Sequence, residues 1–144
     1  MHFAQTDSIP QLIRNYLNAL PAVLKSGDPA QAAQITADFE QTLEHLAATT
    51  KNRNGYPWTP DDIDGIRRLI HVINRLMPIY DLTLELIGSW LWIQGKTFPH
   101  RALLKRLNCT YSGAKAAWFF KPYTFHAPDQ HTPALNPERS QFAA

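Results

Sequence analysis

Large apolar residues change their spacing near residue 80, and this change limits the folds open to the chain. Before it, they recur every three or four positions, as on one face of a helix. From Leu82 they alternate, so that Leu82, Leu84 and Leu86 are separated by Thr83 and Glu85. Alternation is typical of a half-buried strand. The sequence therefore predicts an α+β fold, with helices first and a sheet after them.

Three helices are predicted before residue 80, because three start signals precede the apolar stripes. The signals are Ser8-Ile9-Pro10-Gln11, Asp28-Pro29 and Thr59-Pro60-Asp61-Asp62. Pro21 is expected to kink or end the first helix. The third helix has the widest apolar face, so we expect Ile66, Ile70 and Ile73 to be nearly solvent-free.

An antiparallel hairpin is predicted over Leu82–Ile87 and Trp90–Gln94, with Gly88-Ser89 as a two-residue turn. This register places leucines on one face and tryptophans on the other. The leucine face should be buried and the tryptophan face more exposed. The residues of the module expected to be nearly solvent-free are Leu84, Leu91, Ile93 and Leu104.

A short helix, Pro99–Leu107, is predicted next, with Thr97 as its cap and Asn108 as a left-handed stop. A second hairpin should follow around Ser112-Gly113-Ala114-Lys115. The prediction is thus a three-helix part, residues 1–80, packed on a ββαββ module, residues 81–127. Residues 128–144 are rich in proline and are expected to form a mobile tail.

Positive charge and aromatic rings are concentrated together in residues 88–127. This segment has six Lys or Arg, no Asp or Glu, and nine of the sixteen aromatic residues. Residues 1–87, in contrast, have seven Lys or Arg and ten Asp or Glu. Cations neutralise phosphates and rings stack on exposed bases, so the segment indicates a binding surface rather than a catalytic one.

The candidate binding residues for nucleic acid or another partner are the cations, two tryptophans and one histidine of this segment. They are Lys96, Arg101, Lys105, Arg106, Lys115, Lys121, Trp90, Trp92 and His100. Each also has a structural interpretation: the tryptophans as core residues, the cations as a solvated face, and His100 as a turn residue. Trp118 and Phe120 share a strand face and are expected in the core.

Residue patterns that identify common enzymes are absent from the sequence. It has no phosphate-binding glycine loop, HExxH string or Gly-x-Ser-x-Gly string, and no Cys and His spacing typical of a metal site. Cys109, the single cysteine, has no evident activating base. We therefore expect a protein without enzymatic activity, cofactor or metal.

Cellular location is predicted from cysteine use and hydropathy. One cysteine forms no internal disulfide, and no apolar run approaches the ~20 residues that cross a bilayer. The N-terminus lacks the pattern of a secretory signal. The sequence predicts a cytoplasmic protein without membrane association, and it leaves the oligomeric state open.

The string GSWLWIQGKTFPHRALLKRLNCTYSGAKAAWFFKP resembles a module at the C-terminus of small "DnaJ-like" proteins of plasmids and prophages. The shared positions are Gly88, Ser89, Trp90, Trp92, Gly95, Thr97, Pro99, His100, Lys105, Ser112, Lys115, Ala117 and Trp118. The family usually has a Gly and a Trp where this chain has Asn108-Cys109-Thr110-Tyr111. The His-Pro-Asp tripeptide of J-domains is absent. The resemblance implies an accessory protein of a mobile element, without catalytic residues to transfer.

Two functions follow as expectations. The first is a non-enzymatic accessory protein of a mobile element that binds nucleic acid or a nucleoprotein complex through the basic aromatic segment. The alternative is a protein-binding inhibitor or adaptor, such as an anti-defence factor that blocks a host nuclease complex. In the alternative, the same cations meet an acidic protein surface.

Overall fold

The computed structural model describes residues 3–122, which form an α+β fold. Three long helices come first: α1 spans Ile9–Ser26, α2 spans Pro29–Thr49 and α3 spans Pro60–Leu76. The four strands are β1 Leu82–Ile87, β2 Trp90–Gly95, β3 Thr110–Ser112 and β4 Ala117–Phe120. Between β2 and β3 lie a 3₁₀ turn, Phe98–His100, and a short helix, α4, Arg101–Arg106. The predicted tail, 128–144, falls outside the described residues.

Side-chain caps begin the three long helices where the sequence predicted their starts. The Ser8 hydroxyl accepts from the Gln11 N–H at 3.2 Å, the Asp28 carboxylate from Ala30 at 2.9 Å, and the Thr59 hydroxyl from Asp62 at 3.1 Å. Each bond satisfies a backbone donor that the first turn of a helix leaves without a partner. Pro21 lies inside α1 and does not end it, since the helix continues to Ser26.

The four strands form one antiparallel sheet in the order β1-β2-β4-β3. The first hairpin has the predicted register: Leu84 pairs with Ile93 and Leu86 with Leu91. Gly88 has a φ of 62°, the left-handed conformation that its turn requires. The ββαββ order of the module is therefore confirmed.

A single hydrophobic core joins the helices to one face of the sheet. Ile66 and Ile73 of α3 belong to the same buried cluster as Leu91, Ile93 and other residues of the module. This core-facing side of the sheet is its inner face. On the helical side, the Tyr16 hydroxyl donates to Asn74 at 2.6 Å and links α1 to α3. The boundary at residue 80 between the helical part and the ββαββ module stays a prediction from the sequence.

Two details of the module differ from the predictions. Leu84 is half-buried rather than solvent-free, because β1 is an edge strand and one of its flanks is open. The Thr97 side chain makes no capping bond, and the helix that follows is shorter than predicted, with a 3₁₀ turn in place of its first residues. The expected burial of Leu91, Ile93 and Leu104 is confirmed, as is the left-handed conformation of Asn108.

A close backbone contact holds the end of the module against α3. A Cβ atom added at Gly65 would overlap the carbonyl oxygen of Pro122, the second residue after β4. Glycine thus allows the chain leaving the sheet to touch the backbone of the central helix. Within residues 3–122, no helix is long and apolar enough to span a membrane.

Candidate nucleic-acid interface

Three aromatic rings pack together on the outer face of the sheet, the side opposite the helices. Trp90 stacks on Phe119 with ring centroids 4.7 Å apart and planes at 12°, and Trp92 lies 5.2 Å from Phe119. The pairing of β2 with β4 sets Trp92 directly opposite Phe119. Aromatic rings at directly opposite or diagonal positions of neighbouring strands lie on the same face of the sheet and contact one another.

Burial differs between the two tryptophans. Trp92 is only 7% exposed, although it lies on the face predicted to be the more exposed. Its neighbours Trp90 and Phe119 cover it, and they themselves remain half-buried. Trp92 is therefore a structural residue of the outer face, whereas Trp90 and Phe119 are partly exposed to solvent.

Two lysines lie above these rings. The ammonium group of Lys115 is 5.7 Å from the Trp92 ring centroid, and that of Lys121 is 5.7 Å from the Trp90 ring centroid. At this distance a cation is attracted to the ring face by about 0.5–1 kcal/mol at an exposed site. We name Trp90, Trp92, Lys115, Phe119 and Lys121 the outer-face cluster. Glu85, on β1 opposite Trp92, brings a carboxylate to the same face.

A second group of candidate residues lies where β2 ends. The Arg101 guanidinium carbon is 3.8 Å from the Phe98 ring centroid, and Arg101 also donates to the Phe98 carbonyl at 2.8 Å. These contacts hold the guanidinium over a ring that is 72% exposed. Such a pair offers a planar, charged surface to an unpaired base or to an acidic side chain.

Asp81 connects this region to the start of β1. Its carboxylate lies 3.1 Å from Nε2 of His100, and its backbone carbonyl accepts from the Lys96 N–H at 3.0 Å. His100 is thus engaged in a contact within the protein, in agreement with its structural interpretation. The adjacent Tyr80 is 96% exposed. We name Tyr80, Lys96, Phe98, His100 and Arg101 the hairpin-end cluster.

Register relates the two clusters. Because Ile93 pairs with Trp118, Ala117 lies beside Gln94, and the β3–β4 turn with Lys115 is at the same end of the sheet as Gly95. That end also holds the hairpin-end cluster. The outer-face cluster therefore spans the face, with Lys115 toward that end and with Trp90 and Lys121 toward the Gly88-Ser89 turn.

Within residues 3–122, three cations of the module have no ion-pair partner. Lys96, Lys105 and Arg106 are exposed, and no carboxylate in residues 3–122 lies within ion-pair distance of them. In contrast, Arg67 of α3 has a bidentate contact with Glu40 and is also close to Asp64. This contact raises the pKa of Arg67, while burial opposes it. Lys96, Lys105 and Arg106 thus differ from Arg67 in having no carboxylate partner among the described residues.

Sequence reasoning missed Tyr80, Asp81, Phe98 and Phe119 as members of these clusters. Tyr80 and Asp81 precede the basic segment, and they come close to it only because β1 returns antiparallel to β2. Phe98 was counted among the aromatic residues but was not distinguished from those of the core. Its place between Thr97 and Pro99, outside any strand, was the available signal for exposure.

Cys109 is buried and is a poor candidate for a nucleophile. Burial raises the pKa of its thiol from an ordinary value of 9.0 to about 12, so the thiol stays protonated at neutral pH. Nor do three or more His, Cys, Asp or Glu residues come together as metal ligands within the part of the chain that the structure describes.

Comparisons with protein-family models, curated proteins and solved structures found no match to this chain.

Proposed function

We propose that the protein binds single-stranded nucleic acid, alone or in a nucleoprotein complex, through the hairpin-end cluster and the neighbouring cations of α4. It acts as a non-enzymatic accessory protein of a mobile element, the role that the resemblance of the module implies. The observation that carries the proposal is the exposed Phe98 ring with the Arg101 guanidinium over it, beside cations that have no ion-pair partner within residues 3–122.

Exposed rings favour single strands over duplexes. The faces of bases are accessible for stacking only where the strand is unpaired, and each stacked base contributes about 1–3 kcal/mol. Tyr80 and Phe98 have the most exposed rings among the described residues. Lys105 and Arg106, in the last turn of α4, supply positive charge to phosphates beside them.

Salt dependence tests the role of the cations. Arg101, Lys105 and Arg106 would be replaced together by Ala, and binding to an oligothymidine would be titrated at several salt concentrations. All three side chains project into solvent, so the fold should persist. The slope of log K against log salt should become shallower by about 2, since each phosphate contact on a single strand contributes about 0.7. The matched control replaces Lys25, Arg68 and Arg75, three exposed cations of α1 and α3, and should leave the slope unchanged.

Ring substitutions test the stacking. Tyr80→Ala and Phe98→Ala should each weaken binding to single strands by about five- to 150-fold, with little effect on binding to a duplex. Tyr56→Ala removes an exposed ring from the loop between α2 and α3 and serves as the control. Absence of oligonucleotide binding by the unchanged protein at low salt would refute the proposal.

The alternative is a protein-binding inhibitor or adaptor, such as an anti-defence factor acting on a host nuclease complex. Its support is the composition of the hairpin-end cluster, since exposed aromatic residues and arginine are enriched among residues that dominate protein interfaces. An acidic partner surface would then meet Lys96 and Arg101. Nuclease-resistant binding to a nuclease complex, lost in the triple Ala variant, would favour this function over the first.

A further inference from the structure

The outer edge of β1 has no strand partner among residues 3–122. β1 is the first strand in the order β1-β2-β4-β3, and none of the other described strands lies on its free side. The opposite edge is β3, which has only three residues. β1 has six residues in regular extended conformation, without proline, lysine or a bulge. Natural edge strands usually carry one of these features or another charged side chain, which discourages pairing with another strand, and the charged side chain of β1 is Glu85.

The two-residue turn determines which backbone groups of β1 point toward this edge. In a hairpin with a two-residue turn, the residues that flank the turn exchange both hydrogen bonds, and bonded pairs then alternate along the strands. Ile87, Glu85 and Thr83 therefore bond to β2. The N–H and C=O groups of Leu82, Leu84 and Leu86 point outward. Of these donors, only the N–H of Leu82 has another described partner, the carbonyl of Ile79 at 3.2 Å.

Apolar side chains accompany the open backbone groups. Leu82, Leu84 and Leu86 lie on the inner face and pack against the core, yet each remains half-buried. On β2, the next strand inward, Leu91 and Ile93 of the same face are fully buried. The helical layer thus leaves the flank of the three leucines uncovered, and a further strand beside β1 would cover it.

Hydrogen bonding allows a second copy of β1 to pair with this edge in two central registers, with the two-fold axis at Leu84 or at Glu85. Directly opposite residues of an antiparallel pair lie on the same face, so the two-fold axis must pass through a residue and not between two residues. An axis at Leu84 pairs residues 82–86 of the two copies: Leu84 faces its own copy and Leu82 faces Leu86 of the other copy. Four new hydrogen bonds result, two at Leu84 and one from each Leu86 N–H to the Leu82 carbonyl of the other copy.

Charge agrees with that register. On the outer face, Glu85 of one copy lies opposite Thr83 of the other, so the two glutamates do not face each other. An axis at Glu85 would form as many hydrogen bonds, between Leu84 and Leu86 of the two copies, but it would set two glutamates directly opposite each other, which is destabilising. The strand is therefore compatible with itself in both hydrogen bonding and charge.

We infer that β1 pairs antiparallel with β1 of a second copy, to form a homodimer with a continuous eight-stranded sheet. The two-fold axis passes near Leu84, and the helical layers of both copies lie on the same side of the sheet. This self-association is independent of nucleic-acid binding, because the edge of β1 contains none of the residues proposed to contact nucleic acid.

Substitutions at Thr83 and Glu85 test the register with the full, nuclease-treated chain. Both side chains are exposed and lie off the core, so the variants should fold. Thr83→Glu places two like-charged pairs across the interface and should raise the dimer dissociation constant by about two- to thirtyfold. Thr83→Lys should lower it by a similar factor. The double variant Thr83→Glu with Glu85→Lys restores opposite charges and should recover dimerisation, as measured by analytical ultracentrifugation.

Amide hydrogen exchange locates the interface separately. At low protein concentration the Leu84 and Leu86 amides should exchange quickly, and at high concentration they should become protected. A protein that stays monomeric at high concentration would overturn the inference. A dimer whose dissociation constant is the same in all charge variants would also overturn the inference, because that dimer would use another surface. Protection of both amides in the monomer would overturn it too, since another segment of the chain would then cover the edge.

Discussion

Replacing Gly65 by Ala should destabilise the fold, although alanine is the better helix former. In an exposed helix interior this change stabilises by about 0.8–1.0 kcal/mol. Gly65, however, is buried in α3, and a Cβ there would overlap the carbonyl oxygen of Pro122. The obstructing atom is backbone, so it cannot move aside by changing a rotamer. Either α3 or the chain after β4 must shift.

The expected size of the effect follows from these opposing contributions. Forcing an extra carbon into a well-packed region costs about 1–3 kcal/mol and occasionally more. The gain in helix propensity offsets part of that cost. We therefore expect a net loss of roughly 1–2 kcal/mol in the free energy of unfolding. The sign of the change in the free energy of unfolding is the sharper test, because helix propensity alone predicts a gain in stability.

Urea denaturation followed by circular dichroism measures this difference. The matched control is Gly113→Ala in the β3–β4 turn, where a Cβ meets nothing within 4 Å and φ is not positive. That variant should be neutral or more stable by up to about 1 kcal/mol, through a less flexible unfolded chain. A Gly65→Ala protein as stable as its parent, or more so, would refute the contact between Pro122 and α3.

Two further predictions concern the core. Ile70→Ala should lower the free energy of unfolding by about 2–5 kcal/mol, because Ile70 is buried on the central helix; a loss below about 1 kcal/mol in urea denaturation would contradict that position. Cys109 has a folded pKa above its unfolded value, so the stability that its neutral thiol contributes is complete below pH 9 and declines as pH rises toward 12. Between pH 9 and pH 12 the free energy of unfolding of the parent should therefore fall relative to that of Cys109→Ala. A difference between the two proteins that does not change with pH would contradict the burial of the thiol.

Local signals were sufficient to predict most elements of the fold. The residues Ser8, Asp28 and Thr59 marked the helix starts correctly, because a cap interacts with amides only two or three positions away. Gly88 marked the hairpin turn for a similar reason, since its positive φ and the change of face occur at one point in the chain. Alternation then fixed the register of β1 on β2.

Properties that depend on distant neighbours were not predictable in this way. Alternation assigned Trp92 to the outer face, but its burial comes from Phe119 on β4, which lies next to β2 only in the folded sheet. Leu84 has the same pattern as a central-strand residue, and its partial exposure reflects the edge position of β1. Asp81 lies outside the basic segment in sequence, but in the folded protein its carboxylate contacts His100 of that segment.

The position of β4 between β2 and β3 has a consequence for how the chain folds. Each outer pair of strands is a hairpin with a short turn, and hairpins form in about 1–10 μs. The central pair, β2 with β4, joins strands that are separated by the whole of α4, so its closure costs more chain entropy. We expect the hairpins to form first and to dock afterwards. Since Phe119 covers Trp92 only after docking, Trp92 fluorescence should follow that slower step, and a change completed within a hairpin peptide of residues 82–95 would exclude this order.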